Sequence, residues 1–149
     1  MPLSSVDQNF LKMAQHLGAK DPRAIESKSA ETGGGLTGNL KRGAVIAHGN
    51  RIVATGVSMH LGGALYKPEH QSERHIATVS AELVAISEAI KQKHDMDQVS
   101  IYISAPPTWP SFKVLVTLGI KRIVCFGPSE NKRIRHYATE LGIELLIVG

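Results

Sequence analysis

Val6, Phe10, Met13, Ala14 and Leu17 recur at intervals of three and four residues, which draws one apolar stripe along an α-helix. Ser4 or Ser5 stands where a cap is needed, and Gly18 where the helix would stop. The spacing predicts a first helix ending near Gly18. Over residues 19–41 the period is lost, and Pro22, Gly33-Gly34-Gly35 and Gly38 appear instead. This stretch reads as a long irregular insertion and not a domain linker, because one short amphipathic helix cannot fold alone.

Apolar runs at 43–47 and 51–55 flank His48-Gly49-Asn50. Gly-Asn suits the positive φ angles of a tight turn, so the pair is predicted to form a β-hairpin. Residues 59–78 make a second irregular segment, with Gly62-Gly63, Pro68 and the histidines His60, His70 and His75. Helical spacing returns from about Ser80 to Lys93, with Ala81, Val84, Ala85 and Ile90 on or near one face. After it come a strand from Val99 to Ser104, a helix from Trp109 to Leu118 and a strand from Arg122 to Phe126. A helix from Pro128 to Leu141, with Ser129 as cap and Gly142 at its end, leads to a last strand from Ile143 to Val148. Helical joints between the later strands imply parallel pairing through crossovers. The predicted fold is one three-layer α/β/α domain over 1–149, with a five-stranded mixed sheet whose last two strands are parallel.

Composition adds bounds. The 149 residues are 42% hydrophobic and 20% charged, which suits a globular domain with a sizeable core. No apolar run nears the roughly 20 residues of a membrane span, and no secretory leader is visible, so the expected location is cytoplasmic. A single cysteine, Cys125, excludes an internal disulfide and a multi-cysteine zinc site in one chain. On the fourth strand it reads as a buried, inert thiol. The net charge of +4 includes Lys41, Arg42 and Arg51 early and Lys121, Arg122, Lys132, Arg133 and Arg135 late. Such residues can attract phosphate, but three Phe, three Tyr and one Trp leave little to stack on bases, so nucleic acid is not the favoured partner.

Several motifs then converge. Gly43-Ala-Val-Ile-Ala-His-Gly-Asn-Arg-Ile-Val-Ala-Thr-Gly56 resembles the hairpin of deoxycytidylate and tRNA adenosine deaminases. Ser80-Ala81-Glu82 resembles the His-Ala-Glu helix start of the cytidine deaminase superfamily, and Ile101 to Ser111 resembles its strand leading into Pro-Cys-x-x-Cys. Gly119-Ile-Lys-Arg-Ile-Val124 is similar to the strand that follows. The resemblance spans roughly 43–148, and the helix between the last two strands points to the deoxycytidylate/tRNA-adenosine branch. Pro106-Pro107 permits two registers. Pro107 as the motif proline keeps the family distance to Gly119 and sets Thr108 and Ser111 at the cysteine positions.

The resemblance implies a zinc site held by one His and two Cys, with a glutamate shuttling protons. Here the ligand positions are Ser80, Thr108 and Ser111, while Glu82 is kept. Aliphatic hydroxyls are neutral, poor donors beside imidazole and thiolate, so zinc is expected to be absent. Metal lowers the pKa of bound water by almost 9 units, about 12 kcal/mol, whereas a general base alone typically supplies about 10²–10⁴-fold. The expectation is a deaminase-fold pseudoenzyme, with Glu82 as a vestigial or retained proton shuttle. The substrate-binding candidates are Ser58, at the family's sugar-contacting Asn position, with Ser80, Ala81, Thr108, Ser111 and Trp109. Trp109 either stacks on a base or packs on its own helix. The partners implied are a nucleotide or nucleobase, and a homo-oligomer or a hetero-oligomer with an active deaminase. Leu83, Ile86, Val114 and Val116 lie beyond one apolar stripe and would serve the subunit contact. Two other readings stand beside this one: a hydrolase with a metal relocated to Glu82 and loop histidines (His48, His60, His70, His75), and a purely structural oligomer.

Overall fold

A computed structural model describes residues 3–27, 40–61, 78–127 and 131–149. Its centre is a five-stranded sheet: β1 (Gly43–His48), β2 (Arg51–Val57), β3 (Ser100–Ile103), β4 (Arg122–Phe126) and β5 (Glu144–Val148). The spatial order is β2-β1-β3-β4-β5. β1 is antiparallel to both β2 and β3, while β3, β4 and β5 run parallel. Among the described residues four α-helices complete the fold: α1 (Ser5–Lys20), α2 (Ala81–Lys91), α3 (Trp109–Thr117) and α4 (Lys132–Glu140).

Alternation along the strands divides the core. Ala44, Ile46, Ile101, Ile103, Ile123 and Cys125 face the helices α2, α3 and α4. Val45, Ala47, Tyr102 and Val124 face Phe10, Leu11 and Ala14 of α1. The layers are therefore one helix, the sheet and three helices, the α/β/α arrangement that the sequence pattern predicts. Fully burying side chains such as Phe112, Leu115 or Ile101 contributes about 1.5–3 kcal/mol each.

The local elements refine the prediction. Ser4 caps α1 through a capping box with Asp7, whose side chain accepts from the Ser4 N–H. Its buried stripe is Asp7, Phe10, Leu11, Ala14 and Gly18, and the predicted Val6 and Met13 are exposed. The helix also runs past Gly18. A Cβ there would meet the Lys41 carbonyl at 2.7 Å, so glycine serves close contact with the chain entering β1 and does not end the helix. In α2 the buried positions are Ala81, Glu82, Ala85, Ile86 and Ala89, whereas Ile90 is exposed. The cap of α4 is Asn131, which accepts from the Arg133 and Ile134 amides; the helix starts at Lys132, and Pro128 and Ser129 lie outside the described residues. The irregular segments carry two short antiparallel ladders, Glu26–Ser27 with Leu40–Lys41 and Met59–His60 with Thr78–Val79. Among the described residues no helix is long and apolar enough to cross a membrane.

Candidate functional site

Three helix and strand ends meet beside β1. Gly56 of β2 lies opposite Ala44 and lets α2 approach: a Cβ on it would meet the Ala81 carbonyl at 2.7 Å and collide with the Ala85 amide. α2 thus starts over the first residues of β1. Next to it, β3 ends at Ile103, and the following Ser104 exchanges bonds with Gly43: Gly43 N–H donates to Ser104 Oγ, and Ser104 N–H to the Gly43 carbonyl, both at 3.0 Å. The chain then turns through Pro106-Pro107 into α3, with Pro110 in its first turn. The meeting point lies at the carboxyl end of β3, where open α/β sheets place their ligands.

Ser80, Thr108 and Ser111 come together there. Ser80 Oγ and Ser111 Oγ share a hydrogen across 2.9 Å, and Thr108 Oγ1 donates to Ser111 Oγ at 3.0 Å. Thr108 also caps α3 by accepting from the Ser111 N–H at 3.3 Å. Of the two registers open at Pro106-Pro107, the one with Pro107 as motif proline is the one that joins these three hydroxyls. As a zinc donor set they do not fit. They are neutral, and each is already bonded to another at 2.9–3.0 Å, whereas oxygens at about 2.0–2.2 Å around a tetrahedral ion stand farther apart. Among the described residues no group of three His, Cys, Asp or Glu side chains could hold a metal. His48 is exposed, edge-on to His94 with ring centroids 5.6 Å apart; His60 is buried on a short strand; His70 and His75 lie outside the described residues.

Glu82 is fully buried in the first turn of α2, and neither carboxylate oxygen has a hydrogen-bond partner of acceptable geometry. Burial raises its pKa; its own backbone amide, the Ser80 hydroxyl and the Arg42 guanidinium pull the other way without reversing the shift. Ala81 is buried in the core between α2 and the sheet. Trp109 is flanked by Phe112, with ring centroids 5.9 Å apart, and Tyr137, at 5.5 Å, and Arg133 and Lys113 lie over its ring at 5.3 and 5.6 Å. It packs between α3 and α4. Ser58 is buried with its hydroxyl committed, donating to the Ile25 carbonyl at 2.6 Å and accepting from the Arg42 N–H at 3.0 Å. A sugar hydroxyl could use only the remaining lone pair of this buried oxygen. Ile86, expected at a subunit surface, belongs to the core, while Val114 is exposed. Cys125 is buried, which pushes its thiol up to about 12.

Arg42, which the sequence offers as one of several basic residues able to attract phosphate, is buried near Glu82. It is 5% exposed, and its Nε is buried without a partner. Burial lowers its pKa, and the Glu82 charge opposes that. Its place two residues before Ala44 and four before Ile46 was the available signal.

Helices on both faces of a mixed sheet make this a three-layer α/β/α protein, with a buried glutamate at the head of α2. Residues 5–127 match the cytidine and deoxycytidylate deaminase zinc-binding region, and the chain belongs to that family. It is similar to the dCMP deaminase of cyanophage S-TIM5 in complex with dCMP and dUMP, with 15% identity and a TM-score of 0.75 over 99% of this chain and 100% of that one. It is also similar to a diaminohydroxyphosphoribosylaminopyrimidine deaminase/5-amino-6-(5-phosphoribosylamino)uracil reductase of Thermotoga maritima, with 21% identity and a TM-score of 0.65 over 95% of this chain and 36% of that one. At these identities the likeness carries the fold. A search of curated proteins finds no match.

Proposed function

We propose that this protein is a deaminase-fold pseudoenzyme that binds a nucleotide or nucleobase without zinc chemistry. The observation that carries the reading is the chain of hydroxyls Ser80–Ser111–Thr108 at the ligand positions, beside a buried Glu82 whose oxygens lack partners. Hydroxyls bonded to one another supply no metal-activated water, yet two helix starts and an unpaired carboxylate bring together donors and an acceptor of the kind a base requires. The solved dCMP deaminase complex with dCMP and dUMP supports that ligand class. Self-association, or pairing with an active deaminase, belongs to the same reading, and exposed Val114 on α3 is its apolar contribution.

Purified protein is expected to contain no stoichiometric zinc by elemental analysis and to leave cytidine, deoxycytidine and their monophosphates unchanged. Pyrimidine nucleotides at millimolar concentration are expected to raise its melting temperature. About one zinc per chain retained through chelator dialysis, or product formation abolished by Glu82→Ala, would overturn the pseudoenzyme reading. Absence of any nucleotide-induced shift would overturn the ligand.

A further inference from the structure

Along β1, Ala44 and Ile46 face α2, while Val45 and Ala47 face α1. The two-residue period carries Arg42 onto the α2 side. Its backbone is fixed there by Ser58, which accepts from the Arg42 N–H at 3.0 Å and donates its own N–H to the Arg42 carbonyl at 2.9 Å. The first turn of α2 reaches the same end of the hairpin, because Gly56, paired with Ala44, lies against Ala81. Arg42 and Glu82 therefore approach one another at one end of the sheet, and each feels the other's charge.

They do not meet. Among the described residues the ion pairs within 4.0 Å are those of Arg23, Lys91 and Arg122, and none joins Arg42 to Glu82. The Arg42 Nε and both Glu82 oxygens are buried without hydrogen bonds. Burying either charge unpaired is costly, so a group that bridges them is strongly favoured. Its chemistry follows from what each side chain can do. A guanidinium only donates, and an ionised carboxylate only accepts, so the bridging group must present an acceptor next to a donor. A nucleobase edge does this, with a ring nitrogen or carbonyl oxygen beside an N–H.

We propose that Arg42 is a base-reading residue of this cleft, donating to the acceptor atom of a nucleobase edge whose neighbouring N–H is taken by Glu82. The assignment rests on the nucleotide-binding reading above and adds to it the residue that selects the ligand.

Calorimetric titration of the full chain with cytidine 5′-monophosphate and uridine 5′-monophosphate tests it, with ribose 5-phosphate as the probe that lacks a base. Arg42→Met keeps the length of the side chain and removes the donors. It is expected to weaken both nucleotides about tenfold or more and leave ribose 5-phosphate unchanged. The unliganded melting temperature is expected to rise, since an unpaired buried charge has gone. Equal weakening of ribose 5-phosphate would make Arg42 a phosphate contact and overturn the assignment. So would unchanged nucleotide affinity, whatever the melting temperature. Should Arg42→Met fail to fold, Arg42→Lys reads the same comparison: loss of the planar fork is expected to weaken the nucleotides several-fold and spare ribose 5-phosphate. If Arg42→Met weakens the nucleotides selectively, the nucleotide reading and the assignment stand together; if nucleotides bind but Arg42 is indifferent, only the assignment falls. If the unaltered protein binds neither nucleotide, both fall.

Discussion

On the α1 face of the sheet, Asp7 accepts from Arg122 at 2.8 and 2.7 Å, from the Tyr102 hydroxyl at 2.6 Å and from the Ser4 N–H at 3.2 Å. On the α2 face, Glu82 is more deeply buried and accepts from nothing. Both carboxylates sit in the first turn of a helix packed on the same sheet. The first is a clamp: its partners come from α1, β3 and β4, so it fixes one helix against two strands. The second stands beside a cation, Arg42, that does not reach it. A fold that satisfies one buried acid so fully can satisfy another, and the place where it does not is where a ligand is expected.

The largest expected effect lies on the clamp. Asp7→Asn leaves Arg122 and Tyr102 without their anionic acceptor and removes half of the capping box. It is expected to destabilise the protein by about 3 kcal/mol in chemical denaturation. Arg122→Met with Asp7→Asn together should cost less than the sum of the two single changes, because neither partner is then left alone. A loss under about 1 kcal/mol for Asp7→Asn would mean that the clamp is no stronger than a surface pair.

Acid titration should separate the two carboxylates by sign. The Arg122 guanidinium holds Asp7 well below the usual carboxylate range. Its stabilisation is present above the unfolded value of about 3.9 and is lost as pH falls through the folded one. Burial raises Glu82. Its contribution is complete below about 4.3 and is lost as pH rises through the folded value. Stability measured against pH should therefore fall at the acid end through Asp7 and decline toward neutrality through Glu82. Glu82→Gln is expected to remove the second decline and to gain about 1 kcal/mol at neutral pH. An unchanged profile in Glu82→Gln would show that the carboxylate is satisfied by some other means.

The sequence made one of these regions readable and hid most of the other. Periodicity in α2, α3 and the strands was enough for the layers, since apolar residues there serve only packing. In α1 the apolar stripe drawn through Val6 and Met13 was turned from the true one, because it left out Asp7, which is buried by virtue of its charge. The capping-box spacing from Ser4 to Asp7 was visible in the sequence, but the Arg122 partner lies more than a hundred residues away. Ser80, Thr108 and Ser111 were found through resemblance to a motif, and the structure joins them. Arg42 had no motif to mark it, and its place in the two-residue period has meaning only once Ala44 and Ile46 are known to face α2. It precedes its strand, and its meaning depends on α2 folding back over that strand's first residues. The sequence pattern puts the α4 cap at Ser129, whereas the helix begins three residues later and Asn131 takes the amides of Arg133 and Ile134.

The smallest expected effect separates the two helix starts within the site. Thr108 caps α3 with its side chain, whereas Ser80, in the same position before α2, makes no side-chain cap bond. Its hydroxyl is turned toward Ser111 instead. Thr108→Ala should therefore cost about 1 kcal/mol, the usual penalty for losing a cap, and Ser80→Ala only a few tenths. In Ser80→Ala, the Ser111 oxygen still accepts from Thr108, so no buried oxygen is stranded. Denaturation of the two variants under identical conditions checks the order. Were Ser80→Ala to cost as much as Thr108→Ala, the hydroxyl chain would be holding α2 to α3. Ser80 would then belong with Asp7 among the residues that brace the fold, and no longer with Glu82 and Arg42 at the cleft.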